Sequence, residues 1–318
     1  MSPTPSADGT ARPRVYLIDA SIYVFRAWHV LPDTLVDRQG EPAHAVHGFV
    51  DFLAQFHQLV RAEHVAVCFD TSLTHSARNE LFPAYKANRD PAPPELIAQF
   101  RRCREITRQA GFAEFANQRF EADDLIATLC GVAHADGHTA TVVTGDKDLA
   151  QLVRDDGEWW DFARDRRLNA DGVRKTFGVR PDQIADMLAL AGDRIDNIPG
   201  VPGIGVSTAG RLLSRWDNLD TLYANLPGVS TMKFRGAARI ARLLAEHEST
   251  VRLARQLTGM LEADGLPERV ALLQRQPADR NGLDRELDDL GMSEGHRAWL
   301  IERLEKGPFA DRVGVSGL

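Results

Sequence analysis

Cysteine is scarce in this chain. Cys68, Cys103 and Cys130 are scattered over 318 positions, and none forms a Cys-x-x-Cys pair. A reducing, cytoplasmic setting fits this usage and a structural zinc site does not. Cys68 lies in an apolar run and reads as a small core residue. Long apolar runs are absent as well. None approaches the ~20 residues that a membrane helix needs, so no membrane partner is expected. Residues 1–13 are rich in Ser, Pro, Thr and Ala without an apolar segment, and read as a flexible tail, not a signal peptide. Excess positive charge is also missing. The net charge of −7 argues at first against a nucleic-acid partner. Hydrophobic content of 43% and charged content of 26% are ordinary for a globular protein. The length suits one large domain plus a smaller module.

What is present is a set of nine carboxylates at the ends of apolar runs or in short acidic clusters. They are Asp19, Asp70, Glu121, Asp123, Asp124, Asp146, Asp148, Asp193 and Asp196. Asp19 closes Val-Tyr-Leu-Ile-Asp, Asp70 closes Val-Ala-Val-Cys-Phe-Asp, and Asp146 follows Ala-Thr-Val-Val-Thr-Gly. An apolar run ending in Asp reads as a buried strand that delivers a charge to the edge of a sheet. Many carboxylates at one edge repel each other, and divalent cations are the usual remedy. Setting these nine aside leaves a balance of +2, so the overall sign is a poor guide. Between Arg78 and Arg108, seven cations face four anions, a local excess of +3.

Strands are expected near 15–19, 65–70, 139–144 and 158–162, with helices over 45–63, 94–110 and 121–135. Strands alternating with helices imply βαβ units: an α/β fold with a mainly parallel central sheet flanked by helices. Such sheets bind ligands at the carboxyl ends of their strands, where Asp19, Asp70 and Asp146 fall. Residues 71–94 are polar, then rich in Pro and charge, and read as a mobile loop, part of a loop or arch over about 71–110. The α/β domain is expected over 14–178. A helical module with Gly-rich turns follows over 179–260, then a charged, weakly patterned extension over 261–318 with one helix near 293–306.

Three acidic pairs carry chemistry. Glu121 and Asp124 are three apart on one helix face, flanked by Asp123. An extended segment would point Asp146 and Asp148 the same way. Asp193 and Asp196 are again three apart. Any one pair alone reads as a cap or a solvated face. Three pairs together with two strand-end aspartates point to hard-cation sites, and oxygen-only ligands favour Mg²⁺ or Mn²⁺. A second constellation is Gly200-Val-Pro-Gly203-Ile-Gly205-Val-Ser207-Thr208. Gly203 and Gly205 allow tight turns and close approach to a phosphate. Ser207 or Thr208 is expected to cap the next helix, whose first amides favour anions. This has the form of a helix-hairpin-helix element (helix–three-turn–helix) that grips DNA phosphates without reading sequence. The third is Tyr85-Lys86-Ala-Asn-Arg89, where Tyr85 could stack on a base and Lys86 and Arg89 could stabilise charge on a phosphate.

Together these motifs resemble the 5′ nuclease family: flap endonucleases, phage 5′-3′ exonucleases and the N-terminal nuclease domain of bacterial family A DNA polymerases. The similarity runs from about Arg14 to Met260 and keeps the motif order. It covers Asp19-Ala-Ser, the Phe69-Asp70 strand end, Tyr85-Lys86, Glu121-Ala-Asp-Asp, Asp146-Lys-Asp148, Gly192-Asp193-x-x-Asp196-Asn and Gly-Ile-Gly. The resemblance implies a PIN-like sheet and two metal ions at one phosphate. Asp19, Asp70, Glu121, Asp123 and Asp124 would build the first site, and Asp146, Asp148, Asp193 and Asp196 the second. It places Lys86 and Arg89 on a loop or arch passed by a 5′ end, with Arg26 near the scissile region. It puts duplex DNA, and K⁺, at the hairpin. Arg78, Lys233 and Arg235 are expected to add DNA contacts. Relatives often carry Lys where this chain has Pro202, and again close to Ser207, so the hairpin has lost positive charge. Lys233, Arg235, Arg239 and Arg242 are expected to compensate.

The function implied is a structure-specific 5′-3′ exonuclease or flap endonuclease in DNA replication or repair. The expected enzyme is a stand-alone monomer acting on DNA with 5′ ends, flaps or nicks. An RNA-directed PIN-like nuclease and a non-cleaving DNA-binding scaffold are the rivals. The hairpin and the second carboxylate group favour DNA, and a scaffold would lack metal ligands that this chain has.

Overall fold

A computed structural model describes residues 12–71, 76–154 and 156–305. Most of the expected N-terminal tail, and the segment beyond 305, lie outside the described residues. Six strands form one sheet: β1 (Arg14–Asp19), β2 (His64–Asp70), β3 (Ala113–Asn117), β4 (Thr139–Val143), β5 (Glu158–Asp161) and β6 (Arg166–Leu168). Their spatial order is β3-β2-β1-β4-β5-β6. All neighbours are parallel except β6, which runs antiparallel to β5. The chain leaves β1 toward β2 on one side and later returns to β4 on the other. The carboxyl end of β1 is therefore the switch point at which such sheets open a crevice.

Both faces of the sheet are covered, which is why its strands are apolar without a break. Successive side chains alternate between the faces. Ile18, Val65, Val67, Phe69 and Val143 pack with Phe49, Leu53 and Phe56 of the His44–Val60 helix and Ile106 of the Pro94–Gln109 helix. Val15, Leu17, Ala66, Cys68, Ala140 and Val142 pack against Leu125, Ile126 and Leu129 of the Ala122–Ala135 helix. Several elements were not expected, two of them beside the site. The Ala20–Val30 helix starts directly from Asp19, which caps it. Strand β3 is half-buried along its whole length and carries little apolar signal. The helix expected to reach 63 stops at Val60, where Arg61 turns left-handed (φ 48°).

The second body is built mainly from helices Ile184–Ala191, Val206–Trp216, Leu219–Ala224, Ala237–Glu246 and Glu248–Thr258. Their shared core includes Leu188, Leu212, Leu213, Trp216, Leu244 and Leu257. Tyr85, Val153 and Trp159 of the first body join this cluster, so the helical body is docked beside the active edge of the sheet.

Residues 261–305 are not a loose extension. The chain returns beside the sheet, where Arg275 N–H donates to the Glu63 carbonyl at 2.9 Å and Gln276 N–H to that of Gly111 at 2.8 Å. Only glycine suits position 111: its φ is +81°, and a Cβ there would stand 2.0 Å from the Gln276 carbonyl oxygen. Helices Arg280–Asp289 and Glu294–Glu305 then bury Leu283, Leu287, Leu300 and Leu304 in the same core as Phe49 and Phe56. Arg102 ties this hairpin down through Asp37 (2.9 Å) and Asp289 (2.8 Å).

The fully buried Leu287 supplies a direct test. Leu287→Ala is expected to lower unfolding stability by about 2–4 kcal/mol, while Leu272→Ala, at an exposed site, should change it by less than about 0.5 kcal/mol. Urea unfolding of both variants checks this.

Candidate active site

The site grows from the carboxyl ends of β2, β1 and β4. Asp19 ends β1 at 5% exposure. One of its oxygens accepts Thr144 Oγ1 at 2.8 Å and the other accepts the Ile22 amide. Asp70 ends β2. Its N–H donates to Ser21 Oγ at 2.9 Å, and its Oδ1 accepts the Ala122 amide at 2.8 Å. This bond sets the start of the Ala122–Ala135 helix against the strand end and carries Glu121 and Asp123 to the same edge. After β4, Thr144 Oγ1 also accepts the Asp146 amide at 2.9 Å. Asp146 and Asp148 do not lie in an extended segment as expected. The chain turns into a short 3-10 helix, Asp148–Leu152, and the Asp148 amide donates to Asp146 Oδ1 at 2.9 Å.

The helical body contributes the fourth wall. Asp193 and Ile198 exchange two backbone hydrogen bonds, at 3.0 and 2.7 Å, and so close a tight hairpin around Asp196. A Cβ on Gly200 would stand 2.3 Å from the backbone of Ala191 and Gly192, so glycine is required for the two arms to meet. The segment expected as a mobile loop is stitched to this hairpin. The Lys86 amide donates to the Asp196 carbonyl at 3.0 Å, Asn197 Nδ2 to that of Ala84 at 2.7 Å, and Asn88 Nδ2 to that of Arg194 at 3.1 Å. Arg89 pairs with the Asp196 carboxylate.

Electrostatics separates these carboxylates into two groups. Burial, then Asp70 and Asp146, push Asp19 up to about 7. Burial, then Asp146, push Asp148 up to about 8. Burial and neighbouring aspartates or glutamate likewise raise Asp70, Asp123 and Asp146. Glu121 behaves oppositely. Burial would raise it, but Lys86 and Arg78 outweigh burial and hold it below the ordinary range. Its Oε2 accepts Lys86 Nζ at 2.9 Å and the Tyr85 hydroxyl at 3.0 Å.

Several expected assignments need correction. Arg78 does not face DNA: it is 3% exposed and forks onto Asp124 at 2.7 and 2.8 Å. It also donates to the carbonyls of Leu257 and Gly259. Asp124 is fully buried, spends both oxygens on Arg78, and also accepts the Leu261 amide. It is therefore a structural anion and not an ion ligand. Tyr85 is 4% exposed within the core of the helical body, so its ring is not offered to a base. Ser207 and Thr208 do not cap the next helix. Gly205 takes that position, and they fall within the first turn. Gly203, Gly205, Lys233 and Arg235 are exposed, as binding of an extended partner requires. Arg26 is exposed on the Ala20–Val30 helix and lines a cleft with Tyr23, Asp51 and Phe162. Thr144 and Ser21 were missed. Each sits inside a motif already singled out, and the signal was a hydroxyl next to a strand end.

The donor set fits hard divalent ions. It is all oxygen, burial and neighbouring carboxylates raise Asp19, Asp70, Asp123, Asp146 and Asp148, and Asp148 Oδ1 is buried with no hydrogen-bond partner. The chelate is not closed as placed. Among the described residues, no three His, Cys, Asp or Glu side chains are grouped tightly enough to hold an ion. Glu121 and Asp196 are instead paired with Lys86 and Arg89.

Two family models match the chain. One, the N-terminal resolvase-like domain of 5′-3′ exonucleases, covers residues 14–178. The other, the 5′-3′ exonuclease C-terminal SAM fold, covers residues 179–281. The chain is 36% identical over 275 residues to DNA polymerase I of Rhizobium leguminosarum, covering 82% of this chain and 27% of that protein. It is 38% identical over 282 residues to DNA polymerase I of Pseudomonas aeruginosa, covering 84% and 31%. The chain thus spans less than a third of the length of these relatives. Among solved structures it resembles T5 5′-exonuclease with bound zinc (TM-score 0.64, 17% identity, 92% and 98% covered). It also resembles the catalytic core of Rad2 in complex with DNA substrate (TM-score 0.63, 14% identity, 92% and 93% covered). At these identities the structural likeness bears on fold.

Two outcomes follow from the charges. Arg78→Ala would leave Asp124 buried and unpaired, with an expected loss of about 3–5 kcal/mol in chemical denaturation. Asp148 holds its proton to about pH 8 in the fold, against an ordinary value of 3.8. The unfolded chain sheds that proton first, so ionisation of this group destabilises the ion-free fold progressively between those two values. Asp148→Asn should leave the melting temperature unchanged near pH 4 and raise it by several degrees at about pH 8. An equal fall at both pH values would contradict the repulsion.

Proposed function

Because the chain belongs to the 5′-3′ exonuclease family, we propose that it hydrolyses DNA phosphodiester bonds as a structure-specific 5′ nuclease with flap endonuclease and 5′-3′ exonuclease action. The observation that carries this reading is the set of raised-pKa carboxylates at the sheet's switch point, one with a partnerless buried oxygen. Asp19, Asp70, Asp123 and Glu121 would hold one divalent ion, and Asp146, Asp148, Asp193 and Asp196 a second, as Mg²⁺ or Mn²⁺. Such ions supply an acidified water and stabilisation of charge on the phosphate.

The chain's own residues do the positioning. Thr144 orients the carboxylate of Asp19 and fixes the backbone of Asp146, and Ser21 fixes the end of β2. Lys86 and Arg89 neutralise charge developing on the phosphate, and Arg26 faces the strand that enters along its cleft. The turn through Gly203 and Gly205, with the first amides of the Val206–Trp216 helix, grips the duplex backbone and would hold K⁺. Lys233 and Arg235 extend that grip. The partner is DNA with 5′ ends, flaps or nicks, bound by a monomer in the cytoplasm during replication or repair.

The test is a 5′-flap duplex labelled at either end, incubated with Mg²⁺ and with EDTA. Mg²⁺-dependent cutting near the junction is expected. Binding without cutting, or a preference for RNA, would overturn the proposal. Asp146→Ala should lower cleavage at least about 100-fold while flap affinity is kept or tightened, because a repelling charge is removed. Parallel loss of both would undo the assignment of this carboxylate.

A further inference from the structure

Lys86 is lodged among the carboxylates, not beside them. Its side chain is 12% exposed. Nζ lies 2.9 Å from Glu121 Oε2 and 3.9 Å from Asp196 Oδ2. Its backbone adopts φ +54°, a left-handed conformation that non-glycine residues seldom take. Its amide is fixed to the Asp196 carbonyl at 3.0 Å, and its own carbonyl accepts the Arg89 amide at 3.0 Å. The Tyr85 hydroxyl reaches the same two carboxylates, at 3.0 and 3.4 Å. The ammonium therefore bridges one anion from the sheet body and one from the helical body. Such a strained, doubly anchored placement persists only where surrounding structure enforces it.

An ammonium and a divalent ion attract the same oxygens. We propose that Lys86 is the resident counter-ion of this site and a determinant of its divalent-ion affinity: Glu121 turns to an ion only as Lys86 lets go of it, and Asp196 only as Lys86 and Arg89 do. Ion entry and the freeing of the Lys86 ammonium toward the substrate phosphate are then one coupled event, and the coupling is reciprocal. The proposal rests on the reading above that these carboxylates hold divalent ions.

Lys86→Met keeps the length of the side chain and removes its charge. Mn²⁺ binding to the full chain without DNA, followed by the electron paramagnetic resonance of free Mn²⁺, is the readout. The variant is expected to bind Mn²⁺ roughly tenfold more tightly than the parent protein. Equal or weaker binding by the folded variant would overturn the counter-ion role and leave a phosphate contact alone. No Mn²⁺ binding by the parent protein would overturn the ion sites and this proposal with them. A second measurement needs no variant. Acetylation of Lys86 by a small active ester, read by peptide mass spectrometry, should be slow in EDTA and faster in Ca²⁺. Unchanged reactivity in the presence of bound Ca²⁺ would overturn the proposal.

Discussion

The buried guanidinium of Arg78 is the contact on which the rest of this site depends. It bonds Asp124 through both nitrogens, touches Glu121, and donates to the carbonyls of Leu257 and Gly259. Three separate stretches meet there: the segment after β2, the first turn of the Ala122–Ala135 helix, and the end of the last helix of the second body. A point charge could not serve all of them. The planar fork of arginine satisfies a carboxylate with two parallel bonds and still has donors left for carbonyls. Desolvating such a pair is expensive, so its value lies less in net stability than in fixing the two bodies on one frame. With that frame set, Glu121 stands where Lys86 can reach it, and Asp196 stands opposite.

The frame has to resist a force of the protein's own making. Parallel strands end at one edge, and here three adjacent strand ends each lead to an aspartate. Neutral hydroxyls and backbone amides hold these side chains in place. Thr144, Ser21 and the Ala122 amide each bond a residue of the cluster without cancelling its charge. Burial, and after it the repulsion that survives folding, shows as raised proton affinity. A core optimised for stability alone would not be built this way. The arrangement stores a preference for positive charge, which is the property a cation site needs before the cation arrives.

Much of this was legible in the sequence, and the failures have definite causes. Apolar runs closed by aspartate located β1, β2 and the approach to Asp146, because strands buried on both faces leave a continuous signal. Strand β3 gave none. It is half-buried and carries Glu114, which is held by Arg104 and Arg108 from the neighbouring helix. The hairpin of residues 280–305 was obscured by its charge. Three leucines in Arg280–Leu290 suffice to bury one face, while the acidic residues between them meet Arg38, Arg102 and Arg297. Arg78 and Tyr85 were misread for a common reason. Sequence shows that both residues lie in a basic stretch, but not that a carboxylate far along the chain waits for each inside the fold.

Two cations eight residues apart on one segment thus serve opposite ends. Arg78 is sealed: its partner Asp124 is fully buried and both its carboxylate oxygens are engaged. Lys86 is held by a single close contact to Glu121 and a longer one to Asp196, and its side chain keeps some exposure. The chemistry of the two groups matches the division. The guanidinium makes a directional, multidentate joint that holds one geometry. The ammonium is a compact, strongly hydrated charge on a flexible stem, able to leave one anion for another. Exchanging the two residue types would put the permanent joint at the position that has to open and the mobile charge at the position that has to stay shut. The identity of each cation, and not merely its sign, is therefore part of how this edge of the sheet is organised.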